Sequence, residues 1–204
     1  MPVKFLANKN VLVSGITGSG KTTFMLNVIR NELVHPFPKN IYYMYSVEQP
    51  FMANWNKQEK QTITFIHGLD FSKMNLSEPS LLIIDDLILE TNKETVHLFL
   101  VQSHHYKISV FFLTQNLFFK NKKYQLMSLN THYFVIFHSQ RNTRQVYICA
   151  MQYYIGRETS RVINCYKYAG TQPFGFIVLS FAPELPNYLQ VCTNFFEPCP
   201  LYFL

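Results

Sequence analysis

One stretch constrains this chain more than any other: Gly15-Ile16-Thr17-Gly18-Ser19-Gly20-Lys21-Thr22. Its glycines let the backbone turn tightly, so that successive N–H groups point inward and form a cradle for phosphate oxygens. The flanks suit the same purpose. Val11-Leu12-Val13 is a short apolar run of the kind that forms a buried parallel strand. After the turn, Phe24, Leu26, Val28, Ile29 and Leu33 fall at helical spacing, which predicts a helix from Thr22 to Leu33, ended by His35-Pro36-Phe37-Pro38. A helix opening there sets its positive dipole end at the cradle. The pattern G-x-x-x-x-G-K-[ST] is met in full, so Gly15 to Thr22, with Thr23 behind them, are expected to hold the phosphates of ATP. Lys21 would reach the β- and γ-phosphates, and the Thr22 hydroxyl would ligand Mg²⁺.

The rest of the chain alternates strands with helices. Asn40–Ser46, Ile63–Ile66, Ser80–Ile84, Ile108–Leu113, Tyr133–Phe137 and Phe176–Phe181 read as strands. Lys93–His104 and Thr143–Gln152 read as helices between them. This order predicts an α/β fold with a mostly parallel sheet and helices on both faces. With no repeat or low-complexity linker in view, residues 1–204 are read as a single domain. Ligands of such sheets bind at the carboxyl ends of the strands, where Ser14, Asp85 and Gln115 fall.

Leu81-Leu82-Ile83-Ile84-Asp85-Asp86 has the form of a Walker B strand, an apolar run that delivers carboxylates to a metal. Asp85 is the expected second magnesium ligand, opposite Thr22. Asp86 is placed to polarise an attacking water as general base, or else simply ends the strand in a turn. Gln115, closing Val110-Phe111-Phe112-Leu113-Thr114, is a candidate to sense the terminal phosphate or orient the attacking water, or else simply ends the strand in a turn. Phosphoryl transfer needs positive charge from outside the loop, and Arg141, Arg144, Arg157 and Arg161 cluster after residue 140. Arg141 or Arg144 is the candidate finger into a neighbouring subunit's site; a solvated helix face is the alternative. Lys120-Asn121-Lys122-Lys123-Tyr124, beside Phe118 and Phe119, is a candidate contact for DNA phosphates or a solvated loop. Asn92-Lys93-Glu94-Thr95 lacks the aspartate of the guanine-reading N-K-x-D motif, and His104-His105 lacks the i, i+4 spacing of a helical metal site.

Composition narrows the class. Hydrophobic residues at 48% and charged ones at 15% indicate a folded chain, and 16% aromatics suit a thick core or subunit interfaces. The net charge of +6 agrees with a polyanion partner. Cys149, Cys165, Cys192 and Cys199 show no C-x-x-C pairing and read as reduced thiols of an intracellular protein. No signal peptide is visible in residues 1–10, and the apolar stretches are far shorter than the roughly 20 residues a membrane helix needs. A soluble protein with no membrane partner is expected.

Taken together, Gly15–Thr22, Tyr42–Gln49, Phe65–Leu69, Leu81–Leu87 and Ser103-His104-His105 resemble the viral DNA-packaging ATPases of the FtsK/HerA type, most closely those of Polinton-like elements and adintoviruses. Ser109–Phe118, Ser128-Leu129-Asn130, Gln140-Arg141-Asn142 with Gln145, and Thr193-Asn194-Phe195-Phe196 also carry the likeness. The wider group usually has Glu where Asp86 stands. The resemblance implies a RecA-like P-loop NTPase that assembles as a homo-oligomeric ring and pumps double-stranded DNA into a preformed capsid. It implies capsid partners at the portal or vertex, and work at virion assembly sites inside the infected host cell. Gln115 and Arg141 match its polar strand end and arginine-bearing segment. Other classes share the loop: helicases and conjugation-type pumps, small nucleotide or nucleoside kinases, and scaffolds that only bind ATP.

Overall fold

The computed structural model describes residues 4–118, 122–154 and 156–203. β1 (Phe5–Leu6) and β2 (Asn10–Ser14) lead into the glycine turn, α1 (Lys21–Arg30) leaves it, and β3 (Val34–His35) and β4 (Asn40–Tyr45) follow. The short α2 (Trp55–Gln58) and β5 (Thr64–His67) precede β6 (Ser80–Asp85). A helical run then passes through α3 (Lys93–His97), a π-helical turn at Leu98–Gln102 and α4 (Ser103–His105) to reach β7 (Ile108–Thr114). α5 (Lys122–Leu129), β8 (Tyr133–Phe137), α6 (Thr143–Tyr153) and α7 (Arg157–Ala169) come next. β9 (Phe176–Ser180), β10 (Val191–Thr193) and β11 (Leu201–Tyr202) end the order.

Among the described residues, nine strands form one sheet in the order β11-β10-β9-β8-β2-β7-β6-β4-β5, and β1 pairs with β3 in a separate parallel ribbon. From β8 to β5 every pairing is parallel; β9, β10 and β11 extend the β8 edge antiparallel. The central strands are buried along their whole length, which is why they read as unbroken apolar runs. Their alternate residues feed two cores. Val11, Val13, Tyr43, Ile83, Phe111 and Leu113 pack against Phe24, Met25 and Val28 of α1 and Trp55 of α2. Leu12, Leu82, Ile84, Val110 and Phe112 pack on the opposite face, against Phe99, Met127, Val146 and Val162. The expected mostly parallel α/β sheet with helices on both faces is the observed architecture.

Some boundaries differ from the sequence reading. α1 stops at Arg30, short of the expected Leu33, because Glu32 adopts φ 49° and turns Leu33 back so that its N–H donates to the Val28 carbonyl at 2.9 Å. The freed Val34 then pairs with Phe5. The helix expected at Lys93–His104 contains a wide π turn. The Phe99 carbonyl in that turn accepts from the Asn10 side-chain amide at 2.7 Å, which ties the helix to the start of β2. Phe111 lies at the middle of the sheet, fully buried, with its ring edge-on to Phe5 at 5.3 Å. Phe111→Ala should therefore lower stability by about 3–5 kcal/mol in urea unfolding.

Candidate active site

β2, β7 and β6 end together, so the turn after β2 and the acid at the end of β6 meet on one edge of the sheet. Ser14 pairs with Thr114, and Asp85 with Leu113. The turn needs a glycine at residue 15: a Cβ there would stand 2.4 Å from Ser19 Oγ and 2.8 Å from Phe137 Cβ at the end of β8. Gly20 caps α1 at φ 101°, a left-handed conformation that a side chain would strain. The turn closes with the Ser19 N–H donating to the Ile16 carbonyl at 3.1 Å.

Lys21 is buried, and its ammonium donates to the carbonyls of Gly15 at 2.7 Å and Ile16 at 3.3 Å. Burial holds its pKa below the usual lysine value, and the charges of Asp86 and Asp85 act against that. Asp85 is buried too, and its Oδ2 accepts from the Tyr43 hydroxyl at 2.6 Å and the Gln49 side-chain amide at 3.0 Å. Its pKa is raised by burial first, with the Tyr43 hydrogen bond working the other way. Thr22 follows Lys21 in the first turn of α1 and is half-buried. Asp86 takes φ 56°, which swings its exposed carboxylate out of the strand direction to accept from Gln115 Nε2 at 3.0 Å.

The arrangement fits a metal-bound triphosphate on physical grounds. Among the described residues no ion pair joins Lys21 to either aspartate. Ser14 Oγ and Ser19 Oγ are buried with no hydrogen-bond partner. Buried groups of this kind are ordinarily satisfied. A phosphate beside Lys21 and Ser19, with a cation beside Thr22 and Asp85, would satisfy both signs of charge. Next to the turn opens a cavity of about 520 Å³, lined by Thr22, Thr23, Asn27, Phe137, Phe174 and Phe196 among others.

The other candidates separate. Arg141 sits in a single turn after β8, exposed, and Arg144 is exposed on α6; neither is brought against Lys21 or Asp85 within the chain. Arg161 is held by the Phe203 carbonyl at 2.8 and 3.0 Å, a structural tie to the C-terminal strand. The Arg157 side chain lies outside the described residues. So do Phe119, Lys120 and Asn121 of the basic cluster; within α5, Lys123 donates to the Thr91 carbonyl at 3.2 Å and Tyr124 is buried. Asn92 and Thr95 form the capping box of α3. Sequence reading missed Tyr43, Gln49 and Phe174 as site residues. Only strand register distinguishes Tyr43 from Tyr42, whose hydroxyl accepts from the Asn75 N–H on the other face.

No family model matches the sequence, and no curated protein does. The structure is similar to that of B204, the DNA-packaging ATPase from Sulfolobus Turreted Icosahedral Virus, with TM-score 0.56 and 11% identity over 88% of this chain and 95% of that one. The genome packaging NTPase B204 from Sulfolobus turreted icosahedral virus 2 is similar as well. Its complex with sulfate matches at TM-score 0.58 and 11% identity, covering 91% of this chain and 94% of that one. Its complex with AMPPCP matches at TM-score 0.56 and 12% identity, covering 87% and 95%. The fold is that of the P-loop NTPases. No described helix is long and apolar enough to cross a membrane. Magnesium with a non-hydrolysable triphosphate, at a hundredfold excess over Kd, should raise the melting temperature by about 5–10 °C. Lys21→Ala should abolish that shift in the same thermal scan.

Proposed function

We propose that this chain is a magnesium-dependent ATPase that drives double-stranded DNA into a viral capsid as a ring of identical subunits, as the packaging ATPases of Polinton-like elements and adintoviruses are held to do. One observation carries the nucleotide half of this reading: Lys21 and Asp85 bury opposite charges at one sheet edge without an ion pair between them. The DNA half is supported by the fold shared with the B204 packaging enzymes and by the quoted sequence resemblance.

In this reading the amides of Gly15 to Thr23 receive the phosphates, and Lys21 turns from its own loop carbonyls to the β- and γ-phosphates. Thr22 and Asp85 hold magnesium, which neutralises charge on the phosphate oxygens when bound. Asp86, oriented by Gln115, accepts a proton from the attacking water. The base and ribose enter the cavity beside α1, where the exposed Phe174 ring offers a stacking face. Arg141, exposed beyond β8, supplies positive charge to a neighbouring subunit's site.

Phosphate release measured with and without double-stranded DNA tests the proposal. A several-fold stimulation is expected; hydrolysis indifferent to DNA, with phosphate passed to a nucleoside, would instead mark a kinase. Asp86→Asn should lower kcat by about a hundredfold or more while nucleotide binding persists. Arg141→Ala should do likewise, and mixing it with intact subunits should restore turnover only where the intact arginine faces an intact site.

A further inference from the structure

β4 contributes a residue to the metal site that neither the glycine turn nor the acidic strand end announces. Tyr43 is fully buried, its ring packed against Phe51 at 5.8 Å and Phe65 at 5.9 Å. A phenylalanine would fill the same space, so the packing itself makes no use of the hydroxyl. That hydroxyl costs free energy to bury unless it is bonded, and it gives its proton to Asp85 Oδ2 at 2.6 Å. Gln49, from the segment after β4, donates to the same oxygen at 3.0 Å. Both bonds fall on Oδ2, which leaves Oδ1 for a cation.

We infer that Tyr43 is a positioning residue for magnesium: its hydroxyl, together with the Gln49 amide, holds Asp85 by Oδ2 so that Oδ1 is the oxygen presented to the cation. The inference rests on the ATPase reading, and goes beyond it in assigning the metal site a support that lies on neither of its motifs. Hydrogen-bonding partners of metal ligands fix their orientation, and losing one typically costs about 10–100-fold in metal affinity.

The test is a titration of Mn²⁺ into protein saturated with a non-hydrolysable ATP analogue, with free manganese read by electron paramagnetic resonance. Tyr43→Phe should weaken manganese binding by about 10–100-fold. The variant should remain folded at room temperature, with its affinity for the analogue without metal near that of the parent chain. Should Tyr43→Phe fail to fold, Gln49→Leu removes the other donor and should weaken manganese about fivefold. Manganese affinity unchanged in the folded variant overturns the inference alone. A parent chain that takes up no manganese with the analogue overturns the inference together with the site beneath it.

Discussion

Lys21 and Asp85 place opposite charges in the same buried edge of a sheet, yet each is completed by neutral partners rather than by the other. Taking a charge out of water is expensive, and folding ordinarily recovers part of that by pairing. Here the lysine is held by loop carbonyls and the aspartate by a phenol and an amide. A ligand carrying both signs, anionic toward Lys21 and cationic toward Asp85, completes the two at once. A magnesium-bound triphosphate has that charge pattern. The remaining geometry serves to keep the two charges near and apart: a strand end for the acid, a helix start for the base, and a glycine so close to Phe137 that the turn admits no side chain.

The parallel sheet makes this possible because hydrogen-bonded parallel strands deliver their ends to one side. β2, β7 and β6 are neighbours in space although far apart in sequence, with Ser14 level with Thr114 and Asp85 level with Leu113. Gln115 and Asp86 each lie one residue past those ends and meet at 3.0 Å. Beyond β8 the antiparallel strands β9 to β11 add a second wall. The segment between α7 and β9 carries Phe174 to the cavity beside α1, and the segment after β10 carries Phe196 there. The C-terminal portion of the chain thereby reaches the same edge as the glycine turn.

The central sheet was legible in the sequence because strands buried on both faces must be apolar throughout, and Val11–Val13, Ser80–Ile84, Ile108–Leu113 and Tyr133–Phe137 are. Gly15–Thr22 was legible for a different reason: few backbone arrangements need those residues in that order. The three-residue β10 and two-residue β1, β3 and β11 were not, since a pairing that short leaves no periodic trace. α7 escaped notice although Val162, Cys165, Tyr166 and Ala169 form a buried stripe at helical spacing. Tyr43 was invisible as a site residue for a topological reason. Its neighbours Tyr42 and Tyr45 are chemically the same, and only the register of β4 on β6 gives Tyr43 the aspartate.

Crystals grown with Mn²⁺ and a non-hydrolysable ATP analogue would examine the central claim at atomic detail through the anomalous scattering of manganese. The account predicts a single strong peak within bonding distance of both Thr22 Oγ1 and Asp85 Oδ1, with phosphate oxygens on Lys21 Nζ in place of the carbonyls of Gly15 and Ile16. A nucleotide seated elsewhere, or a manganese peak away from both oxygens, would contradict it.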